Sequence, residues 1–236
     1  MLSSELLRMP KVELHVHLDG AVRHTTLLEL AKTKNISIHA NTLDELKKRL
    51  VLTKPGTLEA MLTPFYEFMP VLMGDPDALE RIAYELCEDQ ASQGVIYFEA
   101  RYCPHFLSNT ARNVMWKTEP YKEKSEVDPE KVVQCVNRGF QRGQKKFGVI
   151  ARSILCGIRA HSHWTPETLR LAVKYKQDGV IGIDIAGCAH AVNEGFQKEN
   201  RHVFEKTWDR LRPQAYSSPE RYSRIKFSLK DQHILS

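Results

Sequence analysis

A chain of 236 residues with 42% hydrophobic and 27% charged side chains has apolar material for one large core or two small ones, and reads as soluble and globular. Its formal net charge of +5 is not gathered into a basic block, so it gives no ground for a nucleic-acid partner. No apolar run has the length of a membrane span or a signal core, and five scattered cysteines (Cys87, Cys103, Cys135, Cys156, Cys188) form no Cys-x-x-Cys pair. The expectation is a cytoplasmic protein with reduced thiols and with neither a nucleic-acid nor a membrane partner.

The first strand-like run is 12–16, ending in Leu14-His15-Val16-His17. Helical stretches follow over 25–34 and 42–50, the latter with Thr42 and Glu45 spaced as a capping box. Two more cover 57–69 and 77–93, the second with Leu79, Ile82, Ala83, Leu86 and Ala91 on one face. Strands are expected over 94–100 (GVIYFEA), 148–156 (GVIARSILC) and 179–186 (GVIGIDIA), each opening on a glycine followed by β-branched residues. Asp128-Pro129-Glu130 starts a helix running to about residue 145, and Thr165-Pro166-Glu167 repeats that signal before a helix ending near 177. Residues 108–127 form the longest irregular stretch, after the second strand, where a barrel places an active-site loop.

Strands alternating with helices imply parallel strands joined by crossovers. Arg101 and Arg152 fall in half-buried strands and read as paired structural charges. His161, His163, His202 and His233 have no spacing argument and read as surface histidines.

His15 and His17 are two apart at a strand end, so period-two geometry points both imidazoles to one side. In a parallel barrel that end is the catalytic face. Two neutral imidazoles there suit zinc, whose open coordination position activates water. Taken alone, the spacing favours two strand histidines satisfied by their neighbours.

Residues 10–20, PKVELHVHLDG, closely resemble the opening motif of the adenosine deaminase family. The stretches KPGTLEAMLTPFYEFMP (54–70), GVIYFEARYCPH (94–105), FGVIARSILC (147–156) and GIDIAG (182–187) resemble later family segments in order and spacing, so the likeness covers roughly 9–187. The resemblance implies a (β/α)8 barrel, zinc as cofactor, and hydrolysis of adenosine or deoxyadenosine at the 6-amino group. It implies His15 and His17 as zinc ligands and Asp19 as acceptor from the ribose hydroxyls, with Gly20 keeping the backbone open beside it. Leu58, Met61, Leu62 and Phe65 become an apolar wall over the base, and Gly187 offers its N–H to a purine nitrogen. Without the resemblance, the four apolar residues read as helix core at i, i+3, i+4, i+7 spacing. A carboxylate at Asp19 favours a nucleoside over a nucleotide, because it repels a 5′-phosphate at close range.

The family continues past the fourth strand with an acidic pair, and then a His-Ala-Gly-Glu motif carrying a third ligand and a proton-handling glutamate. Here Gly187 precedes Cys188-Ala189, and the 236 residues contain no His-Ala-Gly-Glu. His190 and Glu194 are the nearest substitutes, at a different spacing. Residues 194–208 suit a helix, whereas 209–236 resemble nothing in the family. The expected organisation is an incomplete barrel domain over 1–208, with about four strands, and an atypical tail over 209–236. The leading functional reading is an adenosine deaminase whose chain is inactive alone. One alternative is a non-catalytic truncated isoform or incomplete gene model, associating through open sheet edges; another is a sister deaminase acting on a different adenine compound.

Overall fold

A computed structural model of the chain describes residues 9–51, 56–57, 62–110 and 126–187. Four strands form one parallel sheet in the order β1-β2-β3-β4: β1 Lys11–His17, β2 Val95–Tyr102, β3 Ile150–Ile158 and β4 Val180–Ala186. Helices α1 (His24–Thr33), α2 (Leu43–Leu50), α3 (Phe65–Leu72) and α4 (Pro76–Ser92) lie between β1 and β2. The short turn α5 (Pro104–Leu107) and the long α6 (Pro129–Phe147) lead to β3, and α7 (Thr165–Lys174) leads to β4. This is α/β architecture, a partial (β/α) barrel. Among the described residues no helix is long and apolar enough to cross a membrane.

Local signals place the elements. Thr42 and Glu45 close the capping box of α2 in both directions, satisfying two orphan N–H groups. Asp75 caps α4 by accepting from Asp77 and Ala78, and Asp128 caps α6 by accepting from Lys131 at 2.7 Å. Leu79, Ile82, Ala83 and Leu86 are buried, and Ala91 packs at the margin of the core. Phe98 on β2 meets Phe140 on α6 edge-to-face at 5.6 Å, which puts the core between sheet and helices.

Several expectations need correcting. Gly94, Gly148 and Gly179 do not begin strands; each is left-handed, with φ of 77°, 71° and 102°, and turns the chain out of the preceding segment before a strand starts. Thr165 is not a cap: the 3-10 turn Arg159–Trp164 runs straight into α7, so Thr165 is already helical at φ −55°, ψ −45°, and its Oγ1 has no partner among the described residues. Of the helix expected over 57–69, Leu62 is helical, Thr63 and Pro64 form a turn, and α3 then runs from Phe65 to Leu72, with 58–61 outside the described residues. Among the described residues Arg152 bonds to neutral groups, Gln144 Oε1 at 3.2 Å and the Ala151 carbonyl at 2.7 Å, rather than to a carboxylate. The expected helix over 194–208 and the tail over 209–236 lie outside the described residues.

The α4–α6 packing depends on a missing side chain. A Cβ on Gly139 would meet the Glu80 carbonyl oxygen at 2.3 Å and the Ala83 Cβ at 2.6 Å. Gly139→Ala gains about 1 kcal/mol in helix propensity, yet forces two helix backbones apart, an overpacking cost of about 1–3 kcal/mol or more. Denaturant unfolding should show net destabilisation; a stabilised variant would mean that the helices separate freely.

A second clasp joins α6 to α7. Glu130 accepts from Lys174, from Tyr175 Oη at 2.8 Å and from Arg170 at 3.2 Å. The Lys174 hydrogen bond above all, followed by that from Tyr175, draws the Glu130 carboxyl down from 4.5 to about 2. A depressed carboxylate contributes stability that is present above its ordinary value and is lost as pH falls through the folded one. Glu130→Gln should therefore cost about 1 kcal/mol at pH 7, discounted for partners half-exposed to solvent. The gap should close between pH 4.5 and about 2. A gap unchanged across that window in thermal melts would show that the clasp carries no net charge stabilisation.

Candidate metal and purine site

His15 and His17 end β1 with ring centroids 5.6 Å apart, on one side of the strand. Burial first, and then the nearby Arg101 guanidinium, push both imidazoles below their ordinary range, so both are neutral near pH 7. Neutral imidazole is the form that binds a metal. Two such donors on one side fit part of a zinc site, which takes three or four protein ligands. Among the described residues no group of three or more His, Cys, Asp or Glu is arranged to hold a metal, so any further ligands lie elsewhere.

Beyond the strand the chain turns through Leu18 and Asp19, both buried. Leu18 donates its N–H to the Arg101 carbonyl at 2.9 Å, fixing that turn to the end of β2. Asp19 Oδ1 lies 3.9 Å from His17 Nδ1 and has no hydrogen-bond partner among the described residues. Burial raises its carboxyl to about 6, against the opposing pull of N–H groups at Asp19 and Gly20.

Gly20 lies beside two candidate site residues: a Cβ there would make ordinary contact with His17 Cβ at 3.4 Å and Phe65 Cζ at 3.5 Å. Phe65 of α3 thus reaches the histidine turn, and its ring lies 5.0 Å from that of Phe68. Leu62 is half-buried one turn earlier, while Leu58 and Met61 lie outside the described residues. At the end of β4, Gly187 has φ 95°, and its carbonyl accepts from Arg159 Nη1 at 2.7 Å. His190, Glu194, Cys188, His202 and His233 lie outside the described residues.

Two features escaped the sequence reading. Arg101 is 5% exposed; its Nη1 pairs with Asp184 Oδ2 of β4 at 2.7 Å, and its Nη2 donates to the Leu14 carbonyl of β1 at 3.0 Å. The expectation of a paired charge holds, but not its reach across the sheet. His105, just past β2, is buried, with Nε2 3.1 Å from Glu167 Oε2, and stacks on Trp164 at 5.0 Å. His161 stacks on the same Trp164 at 4.1 Å, so it is half-buried, while His163 is exposed as expected.

The family model described as adenosine deaminase matches residues 10–213. The chain belongs to the adenosine deaminase family. An adenosine deaminase of Danio rerio is 46% identical over 179 residues, which cover 75% of this chain and 49% of the relative. The chain spans about half the length of the curated relatives it matches. Among solved structures, Arabidopsis ADAL complexed with IMP superposes with a TM-score of 0.67 at 22% identity, covering 88% of this chain and 57% of that one. An amidohydrolase from Burkholderia ambifaria with bound zinc superposes with a TM-score of 0.62 at 25% identity, covering 89% and 52%.

Proposed function

We propose that this chain supplies the nucleoside-binding half of a zinc-dependent adenosine deaminase site, serving cytoplasmic purine metabolism. The reaction is hydrolysis of the 6-amino group of adenosine or deoxyadenosine, releasing ammonia. The observation that carries this reading is Asp19, a buried carboxylate with one oxygen unpartnered among the described residues, beside two neutral imidazoles. A buried acceptor left unpaired costs free energy that a donor on a ligand recovers. A ribose hydroxyl is such a donor, whereas a 5′-phosphate brings like charge against it.

His15 and His17 would hold the zinc, which when bound supplies Lewis-acid activation of water. Phe65, with Leu62, offers the base an apolar wall. Gly187 presents backbone to the purine edge, held in place by Arg159. Four cysteines are buried and free among the described residues, and burial pushes Cys87 and Cys103 up to about 12, so both stay inert thiols in a reducing compartment.

The test joins residues 1–187 to the corresponding second half of the Danio rerio relative and assays adenosine and AMP side by side. Asp19→Ala in that fusion should raise KM for adenosine about 10- to 100-fold, the loss of one hydrogen bond to a charged group, with a smaller effect on kcat. An unchanged KM would remove Asp19 from the ribose. AMP turned over faster than adenosine would replace the nucleoside reading with the nucleotide one.

A further inference from the structure

The strand that carries the two histidines is irregular where the first of them sits. Glu13 pairs with Phe98 and Val16 with Ala100, so Leu14 and His15 together oppose Glu99 alone. That is a β-bulge, which bends a strand, re-aims its side chains and takes backbone groups out of the ladder. Two groups at this bulge are caught by side chains instead. The Leu14 carbonyl accepts from Arg101 Nη2 at 3.0 Å, and the His15 N–H donates to Glu13 Oε1 at 2.7 Å. Arg101 is itself held: Asp184 Oδ2 accepts from its other terminal nitrogen at 2.7 Å, and Asp184 Oδ1 accepts from the Ile185 N–H at 2.8 Å.

A buried ion pair of this kind is weak evidence of a gain in stability, because desolvation offsets most of the attraction. Here the Arg101 Nε is also buried with no partner among the described residues, which adds to the cost. What the guanidinium achieves is geometric. Its planar fork spans from the β1 bulge to β4, tying the backbone beside His15 to the far side of the described sheet.

We propose that Arg101, oriented by Asp184, is a positioning residue that holds the β1 bulge open at Leu14 and so aims His15 at the metal, with Glu13 bracing the same bulge from the His15 N–H. This rests on the reading of His15 and His17 as zinc ligands, and it concerns how the chain pre-shapes that pair before zinc arrives. Arg101 touches neither metal nor substrate in this role. Lysine cannot replace it, because a single ammonium lacks the fork that serves a carbonyl and a carboxylate in fixed geometry.

The test uses the metal-free 236-residue chain and its Arg101→Gln, Arg101→Lys and Glu13→Ala variants. Residue-resolved hydrogen exchange is read at the His15 amide, with the amides of α4 and α6 as monitors of global opening. The expected result is exchange at His15 faster by about tenfold or more in all three variants, with the rates in α4 and α6 held, which is local opening. Glu13→Ala perturbs only a half-buried side chain, so it keeps the test available should the Arg101 variants fail to fold. Unchanged exchange at His15 in Glu13→Ala and the folded Arg101 variants, or a rise matched in α4 and α6, overturns the proposal.

A second readout titrates zinc against a competing chelator. The variants should bind about 10- to 100-fold more weakly, as when outer-shell partners of a metal ligand are lost; parental affinity in the folded Arg101 variants would overturn the proposal. A parent chain whose zinc binding is indifferent to His17→Ala would instead overturn the ligand reading. In that case the exchange result still decides whether Arg101 shapes the bulge.

Discussion

The 236-residue polypeptide, supplied with zinc, should deaminate adenosine at least about a thousandfold more slowly than the fusion of residues 1–187 to the second half of the Danio rerio relative. His15, His17, Asp19 and Phe65 are brought together at the ends of β1 and α3, as the proposed nucleoside-binding half requires. No His-Ala-Gly-Glu occurs in the sequence, and the described residues offer no third metal ligand beside the pair. General acid–base help alone is typically worth about 10²–10⁴ in rate, and incomplete ligation weakens metal activation of water as well. In the fusion, His17→Ala should remove more than about a hundredfold, since a direct ligand matters at least as much as the outer partners whose loss costs about 10- to 100-fold. Inosine formed by the 236-residue polypeptide at the fusion's rate, and abolished by His17→Ala, would show that residues such as His190 and Glu194 substitute for the family's motif. A fusion that folds, binds zinc and remains inactive would count against the adenosine deaminase reading itself.

Much of the fold is legible because local rules govern it. Capping residues such as Thr42 and Asp128 satisfy orphan N–H groups within three residues of themselves, so their helices announce their own starts. The same holds for the amphipathic face of α4, where burial follows the helical period. Thr165 misleads because a turn already helical runs into it, something that the composition of Arg159–Trp164 does not reveal. Of the site, the His-x-His pair and the turn through Asp19 are visible because the strand period and the motif lie within a few residues. The bulge at Leu14 is not, because it is defined by two residues facing Glu99 some 85 positions away. Nor is the partner of Arg101, since Asp184 lies 83 residues further on and only the closing of β2, β3 and β4 side by side brings the two together. His105 carries a weaker signal: a histidine just beyond a strand end faces the side where a barrel does its chemistry, but its burial against Trp164 depends on a turn after β3.

The same polypeptide should elute from size exclusion as a dimer or larger species, and the fusion as a monomer. An eight-stranded barrel has no edge, and its strands are covered on both faces. Among the described residues β1 and β4 each pair on one side only, which leaves a row of backbone donors and acceptors for another strand to meet. Val12, Ile96 and Ile150, near the starts of three neighbouring strands, are 53%, 51% and 45% exposed, so apolar surface adjoins the open ladder. Burying that surface is worth about 25 cal/mol per Å², and pairing an edge adds hydrogen bonds that water otherwise supplies, so association is favoured without any dedicated interface. Residues 1–187 in the fusion meet a cognate second half instead, which pairs both edges and removes the drive. Light scattering across a concentration series separates the outcomes. A concentration-dependent mass for the 236-residue polypeptide, collapsing to a single monomer mass in the fusion, is the expected pattern. A sharp monomer with one cooperative thermal transition for the polypeptide itself would mean that its edges are already satisfied within the chain, and the open-edge argument would be wrong.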